Sequence, residues 1–167
     1  LFFSADDGIH GQELFTFEGD QVRMVADIRS NDKSADTFSS YPSALTVYKN
    51  MLIFSADDAI HGAELFLYDG AEVRIISDIF PGSDRFGRPN SSDPRGFTIL
   101  NDTLIFTAED SGQGGKIFMF DGTDVRPVSG FPDSTISPGN VVSSFRFTPF
   151  NGALFFSADD GLHGQEL

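Results

Sequence analysis

The stretch SADDGIHGQEL at residues 4–14 indicates a repeat protein, because it recurs along the chain. The later copies are SADDAIHGAEL at 55–65, TAEDSGQGGKI at 107–117 and SADDGLHGQEL at 157–167. Each copy follows a leucine, and these leucines lie about 51 residues apart, at Leu1, Leu52, Leu104 and Leu154. A period of this length is typical of propeller blades and other stacked repeats. The chain of 167 residues is therefore predicted to be a tandem array.

Each repeat is predicted to contain four short strands. The second strands (LFFSA, LIFSA, LIFTA) and the third strands (ELFTF, ELFLY, KIFMF) are nearly continuous apolar runs, as expected for strands covered on both faces. Turns that favour positive φ separate the first strand from the second; they lie at Lys49-Asn50, Asn101-Asp102 and Asn151-Gly152. Similar turns precede the fourth strand, at Glu18-Gly19, Asp69-Gly70 and Asp121-Gly122.

The fourth strand of each repeat alternates apolar and polar residues. In VRMVADI at 22–28, strict alternation predicts an apolar face, formed by Val22, Met24, Ala26 and Ile28. Arg23 and Asp27 would lie on the other face, which is the pattern of a half-exposed strand. Buried inner strands followed by a solvent-exposed outer strand are typical of a propeller blade, in which burial decreases from the central axis outward. Nothing in the chain shows helical periodicity.

The predicted fold is all-β, with four-stranded repeats of about 51 residues forming β-propeller-like blades. Complete blades are predicted at 42–79 and 94–131, with a partial blade at 1–29 (strands 2–4) and another at 143–167 (strands 1–3). Propellers close with about four to eight blades, so we expect an open arc cut from a longer array.

The composition narrows the classes of partner. Eleven basic and 25 acidic residues give a net charge of −14. Nucleic acids and anionic membranes are bound through Lys and Arg, so neither is an expected partner. The chain has no Cys, which rules out a disulfide framework and a thiolate metal site. No apolar run approaches the ~18 residues of a membrane helix, so no membrane span is expected.

Two segments of the chain resemble the ELWxxDGT repeat family: LIFSADDAIHGAELFLYDGAEVRIISDI and IFMFDGTDVRPV. The family's Trp is replaced by phenylalanine, at Phe15, Phe66 and Phe118, which are therefore expected to be core residues. The third repeat departs further, because Lys116 replaces the family's Glu. The resemblance implies β-propeller-like repeats in large secreted or surface-exposed proteins, with adhesive or structural roles and no assigned chemistry. It therefore implies an extracellular or cell-surface location.

Each repeat concentrates polar groups in the turn between its second and third strands. We call this segment, SADDGIHG at residues 4–11 in the first copy, the acidic-His turn. Its paired carboxylates are candidate Ca²⁺ ligands, because Ca²⁺ prefers oxygen donors: Asp6, Asp7, Asp57, Asp58, Asp159 and Asp160. The favoured interpretation is structural, with Asp accepting from turn N–H groups, His bridging the hairpin and Gly adopting positive φ. The residues assigned this structural role are His10, Gly11, Glu13, His61, Gly62, Glu64, His163, Gly164 and Glu166. Catalysis by Asp and His is disfavoured, because a motif that recurs in every repeat is more typical of a structural scaffold than of an active site.

Polar loops join each fourth strand to the next repeat, at 29–41, 81–93 and 132–140. Their sequences differ, and they are expected to lie at the same sheet end as the acidic-His turns, where specificity would reside. Arg85, Arg88 and Arg95 bracket one loop as candidate ligands for a carboxylate or sulfate. Asn90 and Asn101 match the glycosylation pattern.

Two functional hypotheses remain open. The preferred one is a non-enzymatic extracellular module that serves as a scaffold, an adhesive or a filament-building surface. Its partners would be other repeats, copies of the same protein, glycans or surface proteins, and no cofactor is expected. The alternative is a glycan-binding, lectin-like propeller, or part of a glycan hydrolase or lyase. An enzyme of that kind would use residues that occur once, such as Arg85, Arg88 or Asp93.

Overall fold

The computed structural model describes residues 1–30, 39–111, 115–129 and 147–156, together with the backbone of two short strands near the carboxyl end. The chain divides into two compact units, Leu1–Asp93 and Pro94–Leu167. Every element in the described ranges is a β-strand, which confirms the all-β prediction. Within those ranges, no helix is long and apolar enough to cross a membrane.

The first unit contains two antiparallel sheets. The first sheet has the order β1-β2-β3, formed by Phe2–Asp6, Gln12–Glu18 and Gln21–Ala26. The second sheet has the order β4-β5-β6-β7, formed by Ser43–Tyr48, Met51–Asp57, Ala63–Tyr68 and Val73–Ser77. Each sheet is a simple meander, because consecutive strands are neighbours. The inner strands β5 and β6 are mostly buried, whereas β7 is half-buried.

The second unit repeats this pattern. The third sheet has the order β8-β9-β10-β11, formed by Arg95–Leu100, Thr103–Glu109, Gly115–Phe120 and Val125–Pro127. Two hairpins follow: β12 (Thr148–Phe150) with β13 (Ala153–Phe155), and β14 (Ala158–Asp159) with β15 (Gln165–Glu166). Within the described part of the chain, the first strand of the partial blade predicted at 143–167 begins at Thr148, and residues 143–146 lie outside that part.

The turns predicted between the first and second strands have the expected backbone. Lys49 and Asn50 adopt φ of 47° and 63°, and Asn101 and Asp102 adopt 48° and 61°. The third copy, Asn151-Gly152, has φ of 50° and 77°. Positive φ at both central residues is typical of type I′ turns, whose twist matches that of the flanking strands. These turns explain why the first and second strands pair in the same register in each repeat.

The strict alternation predicted for the fourth strand is wrong. The register with β2 shifts between Leu14 and Phe15, which pair with Ala26 and Met24. The extra residue, Val25, packs against the apolar core of the first unit, while Val22 is 58% exposed. A β-bulge of this kind turns successive side chains away from simple alternation. The second sheet has the same shift between Leu65 and Phe66.

A stacked pair of phenylalanines marks one face of each sheet, which we call the front face; the opposite face is the back face. The ring centroids lie 6.2 Å apart in Phe3–Phe15, 6.1 Å in Phe54–Phe66 and 5.8 Å in Phe106–Phe118. The rings of Phe15, Phe66 and Phe118 are all buried. Their prediction as equivalent core residues is confirmed.

In the first unit, the back face of the first sheet packs on the front face of the second. Leu14 joins Leu52, Phe54 and Phe66 in one core cluster. Side chains alternate between faces along a strand, so Leu14 belongs to the back face of β2. Phe2 meets Tyr68 edge to face, with 5.7 Å between centroids. Successive repeats in this unit therefore stack back to front.

The second unit shows the same relation. Ile105 and Ile117, on the back face of the third sheet, cluster with Phe147 and with the partly buried Phe156. Phe156 occupies the repeat position of Phe3, and thus lies on the front face of its hairpin. The antiparallel sheets and their stacking are compatible with propeller blades, and that finer arrangement stays a prediction.

Candidate functional site

The acidic-His turn connects the second and third strands of each repeat. In the first copy, Oδ1 of Asp6 accepts from Gly8 N at 2.7 Å. Oδ1 of Asp7 accepts from the N–H groups of Ile9 and His10, both at 2.9 Å. These bonds satisfy backbone donors that the turn leaves outside the sheet ladder. The side chains of the paired aspartates thus hold the backbone of their own turn.

The second copy reproduces this geometry. Asp57 Oδ1 accepts from Ala59 N at 2.7 Å. Asp58 Oδ1 accepts from Ile60 N at 2.9 Å and from His61 N at 2.7 Å. Ala59 adopts φ of 65°, where the first copy has Gly8 at 80°. A left-handed conformation strains alanine. The bonds from the Asp57 and Asp58 side chains therefore hold the turn although Ala59 disfavours its backbone conformation.

Each described histidine pairs with the second aspartate of its turn. Nδ1 of His10 lies 2.7 Å from Oδ2 of Asp7, and Nδ1 of His61 lies 2.7 Å from Oδ2 of Asp58. These hydrogen bonds raise the pKa of both imidazoles above their usual value. Backbone and side-chain bonds from His10 lower the pKa of Asp7 to about 2. Burial opposes ionisation of Asp58, but bonds from His61 outweigh it and lower its pKa. The turns therefore favour an imidazolium-carboxylate pair.

The glycine after each histidine has a steric role. Gly11 and Gly62 adopt φ of 75° and 76°, in the region that glycine tolerates best. A Cβ on Gly62 would also lie only 2.0 Å from the carbonyl oxygen of Asn90. The acidic-His turn of the second repeat therefore packs directly against the loop at 81–93. The predicted convergence of these two segments is confirmed in the first unit.

Glu13 and Glu64 are fully buried, and each holds the loop that leaves its repeat. Oε2 of Glu64 accepts from Ile79 N at 2.9 Å and from the Ser92 hydroxyl at 2.6 Å. Oε1 accepts from Ser92 N at 3.0 Å. Burial raises the pKa of Glu64, and these bonds offset part of that rise. We call this arrangement the glutamate clasp.

Glu13 forms the equivalent clasp with Ile28 and Ser40. Its carboxylate accepts from Ile28 N and Ser40 N, both at 3.1 Å, and from the Ser40 hydroxyl. The preceding serine adds a further bond in each copy, since Gln12 N donates to Ser39 Oγ and Ala63 N donates to Ser91 Oγ. The sequence predicts a structural role for both glutamates, and the structure identifies their partners.

A short signal in the sequence would have identified those partners. The two loops differ in their earlier residues, but both end in Ser-Ser-x-Pro, at 39–42 and 91–94. The residue before each proline has positive φ, 50° at Tyr41 and 45° at Asp93. The loops are therefore variable over their first part only, and their final residues belong to the repeat.

The third repeat lacks this arrangement in its described residues. Lys116 occupies the clasp position and pairs through Nζ with Oδ2 of Asp110 at 3.0 Å. Asp110 is the equivalent of Asp7 and Asp58, so the lysine takes the carboxylate that histidine takes elsewhere. Gln113, which stands at the histidine position, lies outside the described residues.

The candidate Ca²⁺ ligands in the first unit are engaged in other contacts. Besides its turn bond, Asp57 pairs through Oδ2 with Nη1 of Arg29 at 2.7 Å. Within the described ranges, no group of three His, Asp or Glu side chains converges as a metal site. The side chains of Asp159, Asp160, His163 and Glu166, and the residue Gly164, fall outside those ranges. The calcium assignment stays a prediction.

The remaining candidates lie on loops and turns. Asn90 Nδ2 donates to Pro81 O at 3.1 Å, and Asn101 Nδ2 donates to Gly152 O at 3.4 Å. Arg85 and Arg88 both lie over the ring of Phe86. Arg95 begins β8, whereas Asp93 follows the clasp serine. Of these residues, Arg88 lines a cavity together with Asp57, Ile60 and Gly62 of the second acidic-His turn.

Comparison of the chain with protein-family models, with curated proteins and with solved structures finds no match.

Proposed function

We propose that this chain is a non-enzymatic extracellular scaffold module that assembles through the faces of its repeat sheets. The proposal is supported first by the contacts of the repeated polar groups. The carboxylates of Asp7, Asp58, Glu13 and Glu64 all accept from backbone N–H groups of their own repeat or of the adjoining loop. Groups engaged in this way stabilise loops, and they leave the apolar sheet faces as the surfaces for association.

The front face of the first sheet carries the proposal. Tyr68 and Val73 on the second sheet are packed beneath the back face of the first. Their counterparts on the first sheet, Phe17 and Val22, are 43% and 58% exposed. The same positions are therefore covered in one repeat and open in the other. Since a back face of a repeat sheet covers the former, we infer that a back face also covers the latter.

A complementary back face is exposed in the second unit. Phe155 and Phe150, on the hairpin β12–β13, are 43% and 61% exposed. Phe155 occupies the repeat position of Phe2, the residue that contacts Tyr68 in the first unit. We propose that the back face bearing Phe155 packs on the front face bearing Phe17 of a second copy. Such a head-to-tail contact is heterologous, so copies would form closed rings or open filaments.

An extracellular location and membership in the ELWxxDGT repeat family are part of this proposal. They are supported by the DG turns and by the repeated strand pattern, with phenylalanine in place of the family's tryptophan. The charge of −14 favours solubility of the individual copies, so that association depends on the matched apolar faces.

Sedimentation velocity over a range of concentrations tests the proposal. The wild-type chain is expected to assemble as concentration rises, and Val22→Glu to shift it to monomer by placing a charge in the contact. Val47→Glu is the matched control, because Val47 is 66% exposed on another strand and should leave assembly unchanged. A wild-type chain that stays monomeric at all concentrations, or equal effects of the two variants, would overturn the proposal.

A further inference from the structure

A cavity in the first unit has no role in the proposed assembly. It lies between the acidic-His turn of the second repeat and the loop at 81–93, with a volume of about 510 Å³. Its walls include Arg29, Asp57, Ile60, Gly62, Arg88 and Ser91. Small-molecule sites have volumes of about 300–1,000 Å³. The cavity is therefore large enough for a ligand the size of a monosaccharide.

The loop that forms one wall is internally braced. Asp84 Oδ1 accepts from Phe86 N at 2.7 Å and from Arg88 N at 3.0 Å. Asp84 N donates to Arg88 O at 2.8 Å, and Asn90 N donates to Gly82 O at 3.0 Å. The close approach of Gly62 to Asn90 fixes the loop against the opposite wall. Because these contacts hold the walls in place, binding would require little ordering of the chain.

Arg88 supplies the charge of the cavity. The other cation in the walls, Arg29, is paired with Asp57 at 2.7 Å. Arg88 has no ion pair through its guanidinium with any residue that the structure describes. Asp84, four residues earlier in the loop, uses Oδ1 for two backbone N–H groups. The backbone bond from Arg88 lowers the pKa of Asp84, and the charge of Arg88 contributes to that lowering. A positive group is thus retained in a strongly acidic protein.

The guanidinium of Arg88 is also oriented. It lies 5.6 Å from the ring centroid of Phe86, and the guanidinium of Arg85 lies 4.7 Å from the same centroid. Phe86 is 66% exposed, so the ring is held at the surface with two cations beside it. An arginine placed against an aromatic face keeps its N–H groups available for an oxyanion. Ser91 accepts from Ala63 N through Oγ, which leaves its hydroxyl hydrogen to donate.

We propose that this cavity binds the oxyanion of a small ligand, a carboxylate or a sulfate, through the guanidinium of Arg88 and the hydroxyl of Ser91. Ala59, Ile60 and Pro89 provide an apolar wall for the body of the ligand. The site is specific to this repeat, since Arg85, Phe86 and Arg88 occur in one loop of the chain. It does not depend on the proposed head-to-tail contact, whose residues are different.

Isothermal titration of the full chain with glucuronate, glucose 6-sulfate, inorganic sulfate and glucose tests this site. Saturable binding is expected for at least one of the oxyanions and not for glucose. Comparison of glucuronate with glucose 6-sulfate distinguishes a carboxylate site from a sulfate site, and inorganic sulfate reports whether a sugar body is needed. Absence of saturable binding by all three oxyanions, or equal binding of glucose, would overturn the proposal.

Variants assign any binding to Arg88. Arg88→Gln is expected to raise Kd about tenfold or more, because the charge-assisted bidentate contact is lost. Arg23→Gln is the matched control, since Arg23 is an exposed arginine of the same unit that bonds to Gln21; its Kd should equal that of the wild type. Arg88→Lys retains the positive charge but lacks the planar guanidinium that makes bidentate contacts, so it should bind the ligand less tightly than the wild type. An unchanged Kd in Arg88→Gln would contradict the assignment, and melting curves verify that each variant is folded.

Discussion

The second and third sheets carry the same stacked phenylalanine pair but differ in the polar groups beside it. In the second repeat, Glu64 holds Ile79 and Ser92, and His61 pairs with Asp58. In the third, Lys116 pairs with Asp110 instead, yet all four strands form and the rings of Phe106 and Phe118 stack at 5.8 Å. The comparison teaches that the apolar pattern and the turns build the sheet. The polar motif holds the loops at the end of the sheet.

The largest expected effect comes from the stacked rings that the two sheets share. Phe66→Ala should lower the free energy of unfolding by about 3–5 kcal/mol, since it leaves a cavity between two packed sheets. Phe118→Ala should have a similar effect in the second unit. Denaturant unfolding measures both. A loss below about 1 kcal/mol at either position would show that the ring pair does not support the sheet.

Removal of the clasp should have the next largest effect, and it should distinguish the two sheets. Glu64→Ala leaves Ile79 N–H without its acceptor and leaves Ser92 only the bonds of its N–H and hydroxyl to Ala63 O, with an expected cost of about 2–3 kcal/mol. Lys116→Ala removes a partly exposed ion pair and should cost about 1 kcal/mol or less. The two variants are compared by the same denaturant unfolding. Equal losses would contradict the assignment of the clasp to Glu64.

The smallest effect concerns the Asp-His pairs, and it depends on pH. The raised pKa of His61 means that its contribution to stability is complete below the usual value of 6.5 and is lost as pH rises through the folded pKa. The lowered pKa of Asp58 means that its contribution is present above 3.8 and is lost as pH falls through the folded pKa. The pair should therefore stabilise most between these two usual values.

NMR titration measures this directly. Asp58→Asn should lower the pKa of His61 toward 6.5, because the main cause of its rise is the side-chain bond to Asp58. His10, whose pair with Asp7 is untouched, serves as the control within the same protein. If His61 titrates unchanged in Asp58→Asn, the pair does not determine its protonation.

Much of the fold follows from the local sequence. The apolar runs predict β5, β6, β9 and β10, and the positive-φ turns predict the hairpins, because both signals act over a few residues. The bulge at Val25 could not be predicted, since it depends on the register between two strands and on what each face packs against. Strict alternation therefore predicts Val22 on the apolar face, whereas its side chain is largely exposed.

The candidate site was predictable in part for the same reason. The Asp and His contacts of the acidic-His turn span two or three residues, so local turn chemistry indicates them. The clasp joins Glu64 to residues 15 and 28 positions away, and only the fold brings them together. The recurring Ser-Ser-x-Pro was visible in the sequence, but differences in the earlier part of the loops obscured it. The cavity beside Arg88 depends on how two loops meet.

Thiol cross-linking between copies tests whether repeat sheets of two copies stack back to front. The chain has no Cys, so Phe17→Cys and Phe155→Cys each introduce a single thiol at an exposed position equivalent to the Tyr68–Phe2 contact. When the two variants are mixed and treated with a short bifunctional thiol reagent, the account predicts mixed dimers of Phe17→Cys with Phe155→Cys. Neither variant alone should cross-link efficiently. Efficient cross-linking of Phe17→Cys to itself, or no mixed dimer at concentrations where the protein assembles, would contradict the account.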